Sequence, residues 1–385
     1  MIVAAAFSLL LAGSNAVNPL LPLYREHLGF GPLLLSLTFV SYVAVLIVVL
    51  LLFSRPGLIR WAPVTMCGGL VVAAVSDLLL ANGTEASILV GRAVGGVAGG
   101  FGTGAAAALV VAAVRSAGRA LTATGNLVGA VIGTALSQLG VELMAGDAMT
   151  RVPEFHAIAC LVAAVALVFV LALRRSQNRS QLIVPADRAR LSPTEVRRGV
   201  PVFAVGCVAW LAVGGSTVLV PSYMGDIGLG LARSVGAIVF FAASAAGQLG
   251  SVWLSTRLPW ARGSEALVVG VALQLLGSAV GSETVVLVGF ALVGLGAGVA
   301  YRLALVHASL GLTPAGQGSM SSVYAAVTYT ATATGTLVVG VLGNIWGLRT
   351  AVPVFLVVVA LGGIATFRWA VRFRDVTPAS PTTAP

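Results

Sequence analysis

Lysine is absent from these 385 residues, and charge of either sign is scarce, with only 9% of positions charged. Soluble domains carry roughly a quarter charged residues. In water, this chain could not hide its apolar residues, 58% of the total. The scarcity excludes a water-soluble globule and leaves the bilayer as the solvent for most of the chain. Cysteine is rarer still. Cys67, Cys160 and Cys207 are scattered through apolar runs, which reads as buried thiols rather than a disulfide or a metal site. The three histidines, His27, His156 and His307, are far apart and show no ligand spacing. A Gly-Lys-Ser/Thr phosphate loop is missing too, so ATP is not the expected power source. No enzyme chemistry, metal or cofactor is expected. The formal charge of +10 does not point to nucleic acid, because the arginines sit between apolar runs rather than along one face. Near the start, Leu11-Ala12-Gly13-Ser14-Asn15-Ala16 resembles a cleavage site, but no basic segment precedes it, and the stretch reads as a first membrane span.

What the chain does contain is long apolar runs. A helix needs about 20 apolar residues to cross ~30 Å of hydrocarbon. Such runs occupy 2–22, 33–53, 62–82, 87–113, 119–144 and 156–173, then 200–223, 234–256, 264–280, 284–308, 318–345 and 350–371. Their continuity excludes the alternating ~10-residue segments of a membrane barrel. Placing the N-terminus in the cytoplasm puts seventeen arginines inside and four outside, with Arg92 within the fourth span. That bias sets the expected orientation, both termini cytoplasmic, in a cell membrane. The polar, arginine-rich stretch 174–199 divides the chain into an N-terminal bundle (1–173), a linker and a C-terminal bundle (200–373), followed by a disordered tail (374–385).

The halves repeat. Pro22, Tyr24, Gly29 and Gly31 align with Pro221, Tyr223, Gly228 and Gly230, and Gly91, Gly96 and Gly100 align with Gly289, Gly294 and Gly298. Six spans per half insert both halves the same way, so an axis along the membrane normal relates them. A site is expected near the midplane at their interface.

Three motifs carry a family resemblance. After the second span the chain reads Phe53-Ser54-Arg55-Pro56-Gly57-Leu58-Ile59-Arg60. The fourth holds Gly91-Arg92-Ala93-Val94-Gly95-Gly96, and the fifth holds Gly125-Asn126-Leu127-Val128-Gly129-Ala130-Val131-Ile132-Gly133. With these motifs the chain resembles the major facilitator superfamily, and within it the drug and metabolite efflux permeases. The loop keeps the family's arginines and glycine at Arg55, Gly57 and Arg60 but lacks its aspartate. Ala130 replaces the usual proline of the antiporter motif. The resemblance implies an all-α fold of twelve spans in two six-helix bundles, with spans one, four, seven and ten lining the path. It therefore places Asn15, Asn18, Trp210, Ser216 and Tyr301 at a substrate cavity, with Asn126, Gln138, Gln248, Tyr324 and Tyr329 flanking it. Aromatics and amides in an apolar pocket suit an amphipathic organic solute. Each of these side chains could equally serve packing.

Arg92 is the sharpest single residue, since a bare charge in hydrocarbon costs on the order of 3 kcal/mol or more. Asp77, near the same end of the third span, is expected at a similar depth and close enough to pair with Arg92 or share a polar network. Three readings stay open: a fixed ion pair, a proton-linked switch in which Asp77 protonation frees Arg92, and Arg92 as receptor for an anionic substrate. The glycines four apart, Gly125, Gly129 and Gly133, read as a packing face or as a smooth seam on which the halves rock. Glu142 and Arg302 read as interfacial.

The function expected is a secondary active transporter of small molecules working by alternating access, with proton-coupled export the leading form. Nutrient uptake by proton symport is the alternative within transport, and a non-transporting receptor or scaffold the alternative outside it. A monomer in the lipid bilayer is expected.

Overall fold

The computed structural model describes residues 2–53, 61–114, 118–175, 199–258, 261–310, 312 and 314–372. Among them the chain is helical throughout, without strands. The helices of the first half are α1 (Ile2–Ala16), α2 (Leu21–Leu28), α3 (Pro32–Phe53), α4 (Ala62–Ala81), α5 (Glu85–Val114), α6 (Gly118–Met144) and α7 (Ala148–Arg175). Those of the second are α8 (Val200–Gly214), α9 (Val220–Asp226), α10 (Gly230–Arg257), α11 (Ser264–Val280), α12 (Glu283–Ala308), α13 (Pro314–Trp346) and α14 (Leu348–Arg372). Each of the twelve apolar stretches falls on one of these helices or on a broken pair. Nine among the described residues are long and apolar enough to cross a membrane, and shorter apolar stretches lie at Val128–Met144 and Ser264–Val280. The outward faces are themselves apolar: Val162, Val165 and Phe169 on α7 are more than half exposed. Lipid, not water, suits such a surface. The linker residues 176–198, the tail 373–385 and the loop holding Arg55, Gly57 and Arg60 lie outside the described residues.

The structure departs from the sequence reading in three spans. The first is not one helix: α1 ends at Ala16, a 3-10 turn covers Asn18–Leu20, and α2 begins at Leu21. Pro19 has no N–H for the Asn15 carbonyl, and the Leu20 N–H bonds Val17 O instead of Ala16 O. The seventh breaks at the equivalent place, where a π-turn over Gly215–Leu219 precedes Pro221. The sixth begins at Ala148, eight residues earlier than expected, and runs through Pro153. The last span, α14, carries Pro353 at the same place in its helix.

The aligned glycines do the same work in both halves. A side chain at Gly96 or Gly100 would run into Tyr42 O or Val49 of α3, and one at Gly294 or Gly298 into the Phe240 or Ser244 carbonyl of α10. Small residues at these crossings let the helix backbones touch, and dispersion and polar contacts hold helices together where lipid offers no hydrophobic drive. Between the halves, α3 packs on α13 and α6 on α10, again as a symmetric pair. Near the first break the core is continuous across the halves, joining Val17, Leu20, Leu21 and Tyr24 to Val218, Leu219, Tyr223 and Met224. Gly129 and Gly133, by contrast, seat α1 within the same half, against the Ser8 and Ala12 backbone. That places this glycine face inside the N-terminal bundle rather than on the surface along which the halves meet. Gly125 is helical, but its surroundings lie outside the described contacts.

Replacing Gly133 with alanine should therefore strain the α1–α6 crossing and lower the melting temperature, by overpacking of about 1–3 kcal/mol. Gly68→Ala on α4, where an added methyl group meets nothing within 4 Å, should be neutral or stabilising by up to about 1 kcal/mol. Thermal denaturation of the two purified variants in one detergent checks the contrast.

Candidate functional site at the break in the first span

The end of α1 presents carbonyls that no following turn can satisfy, and inside a bilayer water is not there to replace it. Side chains from two other helices fill the gap. From α6, the Ser137 hydroxyl donates to Ala16 O (2.5 Å) and the Thr134 hydroxyl, more weakly, to Asn15 O (3.5 Å). From α5, Arg92 Nη1 donates to Ser14 O (3.0 Å) while its Nε donates to Thr38 O on α3 (3.0 Å). The guanidinium carbon stands 4.5 Å above the Tyr42 ring. A cation at the negative end of a helix dipole, over an aromatic face, is a stabilised arrangement. Arg92 is 5% exposed.

Asp77, on α4, is brought to the same place, but its partner is not Arg92. Its Oδ2 lies 2.6 Å from Nδ1 of His156 on α7. The other ring nitrogen, Nε2, donates to Leu9 O of α1 (2.9 Å). The imidazole reaches that carbonyl because Gly13 has no side chain: a Cβ there would overlap the ring. Ser76, beside Asp77, donates to Gly91 O (2.7 Å) and holds α4 against α5. Ser14, Ser76, Asp77, Arg92 and His156 line one small cavity. The expected meeting of Asp77 and Arg92 thus takes the form of a shared cavity, with the short hydrogen bond of Asp77 made to a histidine instead.

Spacing alone sets His156 aside as an isolated histidine, and a span taken from residue 156 leaves it at the end of its helix. With α7 beginning at Ala148, His156 lies two turns inside, level with Asp77. The cue was Pro153, a residue at home in the first turns of a helix.

Cys160 completes a cluster with Asp77 and His156 whose ligand atoms lie within 4.8 Å of one another. Its sulfur is 3.8 Å from Nδ1 and 3.6 Å from Nε2, but both nitrogens already face oxygens, Asp77 Oδ2 and Leu9 O. A metal must sit in the ring plane where the nitrogen lone pairs point. The trio is therefore not preformed as a metal centre.

In the second half the candidates gather differently. Trp210 of α8 stacks on Tyr301 of α12 (centroids 4.1 Å apart) and meets the edge of Tyr329 on α13 (5.7 Å). All three are half-buried. Tyr324 is fully buried behind them, donating to Tyr301 O (3.1 Å). Ser216, in the π-turn, and Gln248, on α10, are buried. Asn15 donates to its own helix at Leu11 O (2.8 Å), and Asn18 sits in the 3-10 turn. Gln138 donates to Glu142 (3.1 Å) on the same helix. Of the sequence candidates, then, Trp210, Tyr301, Tyr324 and Tyr329 come together, and Asp77 and Arg92 line one cavity. Asn126 lies outside the described side chains.

One end of the molecule is latched by charge. Arg25 of α2 pairs with Asp226 of α9 (2.7 Å), and Glu26 with Arg233 of α10 (2.6 Å). The first pair joins the aligned segments of the two halves, and the second ties α2 to the start of α10.

The family model of the Major Facilitator Superfamily matches residues 3–305. No curated protein matches the chain in sequence. Among solved structures, a bacterial homologue of the human lysosomal transporter Spinster, in an inward-facing and occupied conformation, is 13% identical. It covers 97% of this chain and 94% of its own, with a TM-score of 0.68. The nucleoside transporter NupG is 12% identical, covers 95% of this chain and 98% of its own, and has a TM-score of 0.69. At these identities the likeness is one of fold.

Arg92→Met should destabilise the protein, leaving the Ser14 carbonyl at the broken end of α1 short of a donor at about 1–3 kcal/mol, whereas Thr38 O keeps the Ser41 hydroxyl. Arg92→Lys, which keeps the charge but not the two-pronged reach, should fall between. Melting temperatures in detergent check the order wild type, Lys, Met.

Proposed function

We propose that this chain, which belongs to the major facilitator superfamily, exports small amphipathic organic compounds in exchange for protons by alternating access. It is a multi-pass membrane transporter of the all-α kind; direction, coupling ion and cargo are the parts proposed. Our reading of the topology puts both termini in the cytoplasm of a cell, so the Arg25–Asp226 and Glu26–Arg233 latch closes the outer end. Rocking of the halves about a midplane site would break these pairs and open that end.

One observation carries the proton coupling: the charged groups buried at this helix crossing have no counterpart at the equivalent crossing of the second half. At the positions aligned with Asp77 and Arg92 the second half has Leu275 and Phe290, in the same helix pairing. Gly13 accommodates the ring of His156, three residues after Pro153; Gly215 accommodates the ring of Phe355, two residues after Pro353. The fold solves this crossing without ionisable groups in one half. Their presence in the other, at the cost of burying charge, supports a role in energy coupling rather than in packing. The half-buried aromatic group of Trp210, Tyr301 and Tyr329 offers stacking surface to a planar, amphipathic cargo.

Proteoliposomes with an imposed pH gradient test the reading, with ethidium and uncharged fluorescent aromatics as probes. We expect at least one probe to accumulate against its gradient on the acid side, and a protonophore to abolish the accumulation. Movement indifferent to the pH gradient across the panel would contradict it.

A further inference from the structure

We infer that Asp77 and His156 form a single proton-binding unit, and that this unit acts on the first span through Gly13 and the Leu9 carbonyl. The inference deepens the proton-coupling reading above and rests on it.

Leu9 O, a backbone carbonyl, can only accept. His156 Nε2, 2.9 Å away, must therefore carry a hydrogen. That leaves Nδ1 facing Asp77 Oδ2 at 2.6 Å, a separation that requires one proton between them. The proton can rest on nitrogen, giving imidazolium and carboxylate, or on oxygen, giving neutral imidazole and carboxylic acid. Both arrangements have zero net charge. Binding a second proton makes both groups fully protonated, trades the charge-assisted hydrogen bond for a weaker one to a neutral acid, and adds +1 beside Arg92. The weakened bond and the repulsion from Arg92 favour separation or turning of the pair, and the proton comes off as a unit property rather than from either residue alone.

The mechanical link is short. The imidazole lies on the bare backbone of Gly13 and is bonded one turn earlier at Leu9, so it cannot turn without moving against α1. Arg92 holds the same helix one residue further on, at Ser14. The other titratable groups facing the unit are Arg92 on α5, Cys160 on α7, Tyr24 on α2 and Tyr42 on α3. Protonation therefore sets repulsion between the unit and Arg92 against their common hold on the broken span. That span continues through Asn18–Leu20 into α2, where Arg25 and Glu26 make the latch to the second half.

The test reads conformation without any transported compound. Genetically encoded spin labels at Asn82 and Val280, both exposed and near the latched end of their halves, report the distance between the halves in full-length protein in lipid nanodiscs. In wild type the distance distribution should shift between pH 8 and pH 5. Asp77→Asn and His156→Gln should each abolish the shift, the double variant should add nothing, and Asp77→Glu should retain it. Gly13→Ala should abolish it while both titratable residues remain. Selective 15N labelling of histidine provides a second reading on unmutated protein: the His156 signal should show Nε2 protonated at both pH values. A wild type without a shift, a shift surviving in either single variant, or a neutral His156 protonated on Nδ1 alone would overturn the inference. Failure here and failure of pH-driven flux are separate results.

Discussion

A peptide carbonyl inside a bilayer must find a donor within the protein, and the break in the first span leaves a whole turn of them looking for one. Everything specific to the N-terminal half follows from how that turn is satisfied. Hydroxyls from α6 cap Asn15 and Ala16, and Arg92 caps Ser14. An arginine there costs far less than it would in bare hydrocarbon, because the helix dipole, a second carbonyl at Thr38 and the Tyr42 ring all favour its charge. The arginine in turn sets the potential felt by the Asp77–His156 pair in the same cavity.

The repeat between the halves makes the comparison internal. Both halves break their first helix before a proline, both seat span two or eight on glycines, and both lay a ring from the last span on a glycine of the first. One half lays a histidine beside an aspartate; the other lays Phe355 in an apolar crossing. The division fits a transporter in which one bundle handles the proton and the other offers aromatic surface to cargo. The two halves then meet through Arg25–Asp226, between the aligned segments, and Glu26–Arg233 beside them, partly exposed pairs of the strength that a moving interface can break.

The architecture was legible because it rests on quantities the sequence carries openly: run length, arginine placement and the near-constant offset between halves. Asp77 and Arg92 were found by the rule that charge in a span needs a reason. What escaped was register. Helix ends are set by capping and by where a proline is tolerated, so the start of α7 was misplaced by two turns, and His156 went with it. The breaks at Pro19 and Pro221 were written in the sequence as prolines near the ends of long apolar runs, yet an apolar window reads straight across them. Which carbonyls Arg92 would bind depends on three helices meeting, and no local pattern encodes that.

The account stands or falls on whether the latched end must open. Cysteines placed at Arg25 and Asp226 can be joined by a short bifunctional thiol reagent that a reductant later cleaves. The account predicts that joining them stops pH-driven flux in proteoliposomes and that cleavage restores it. Undiminished flux through the cross-linked protein would contradict it.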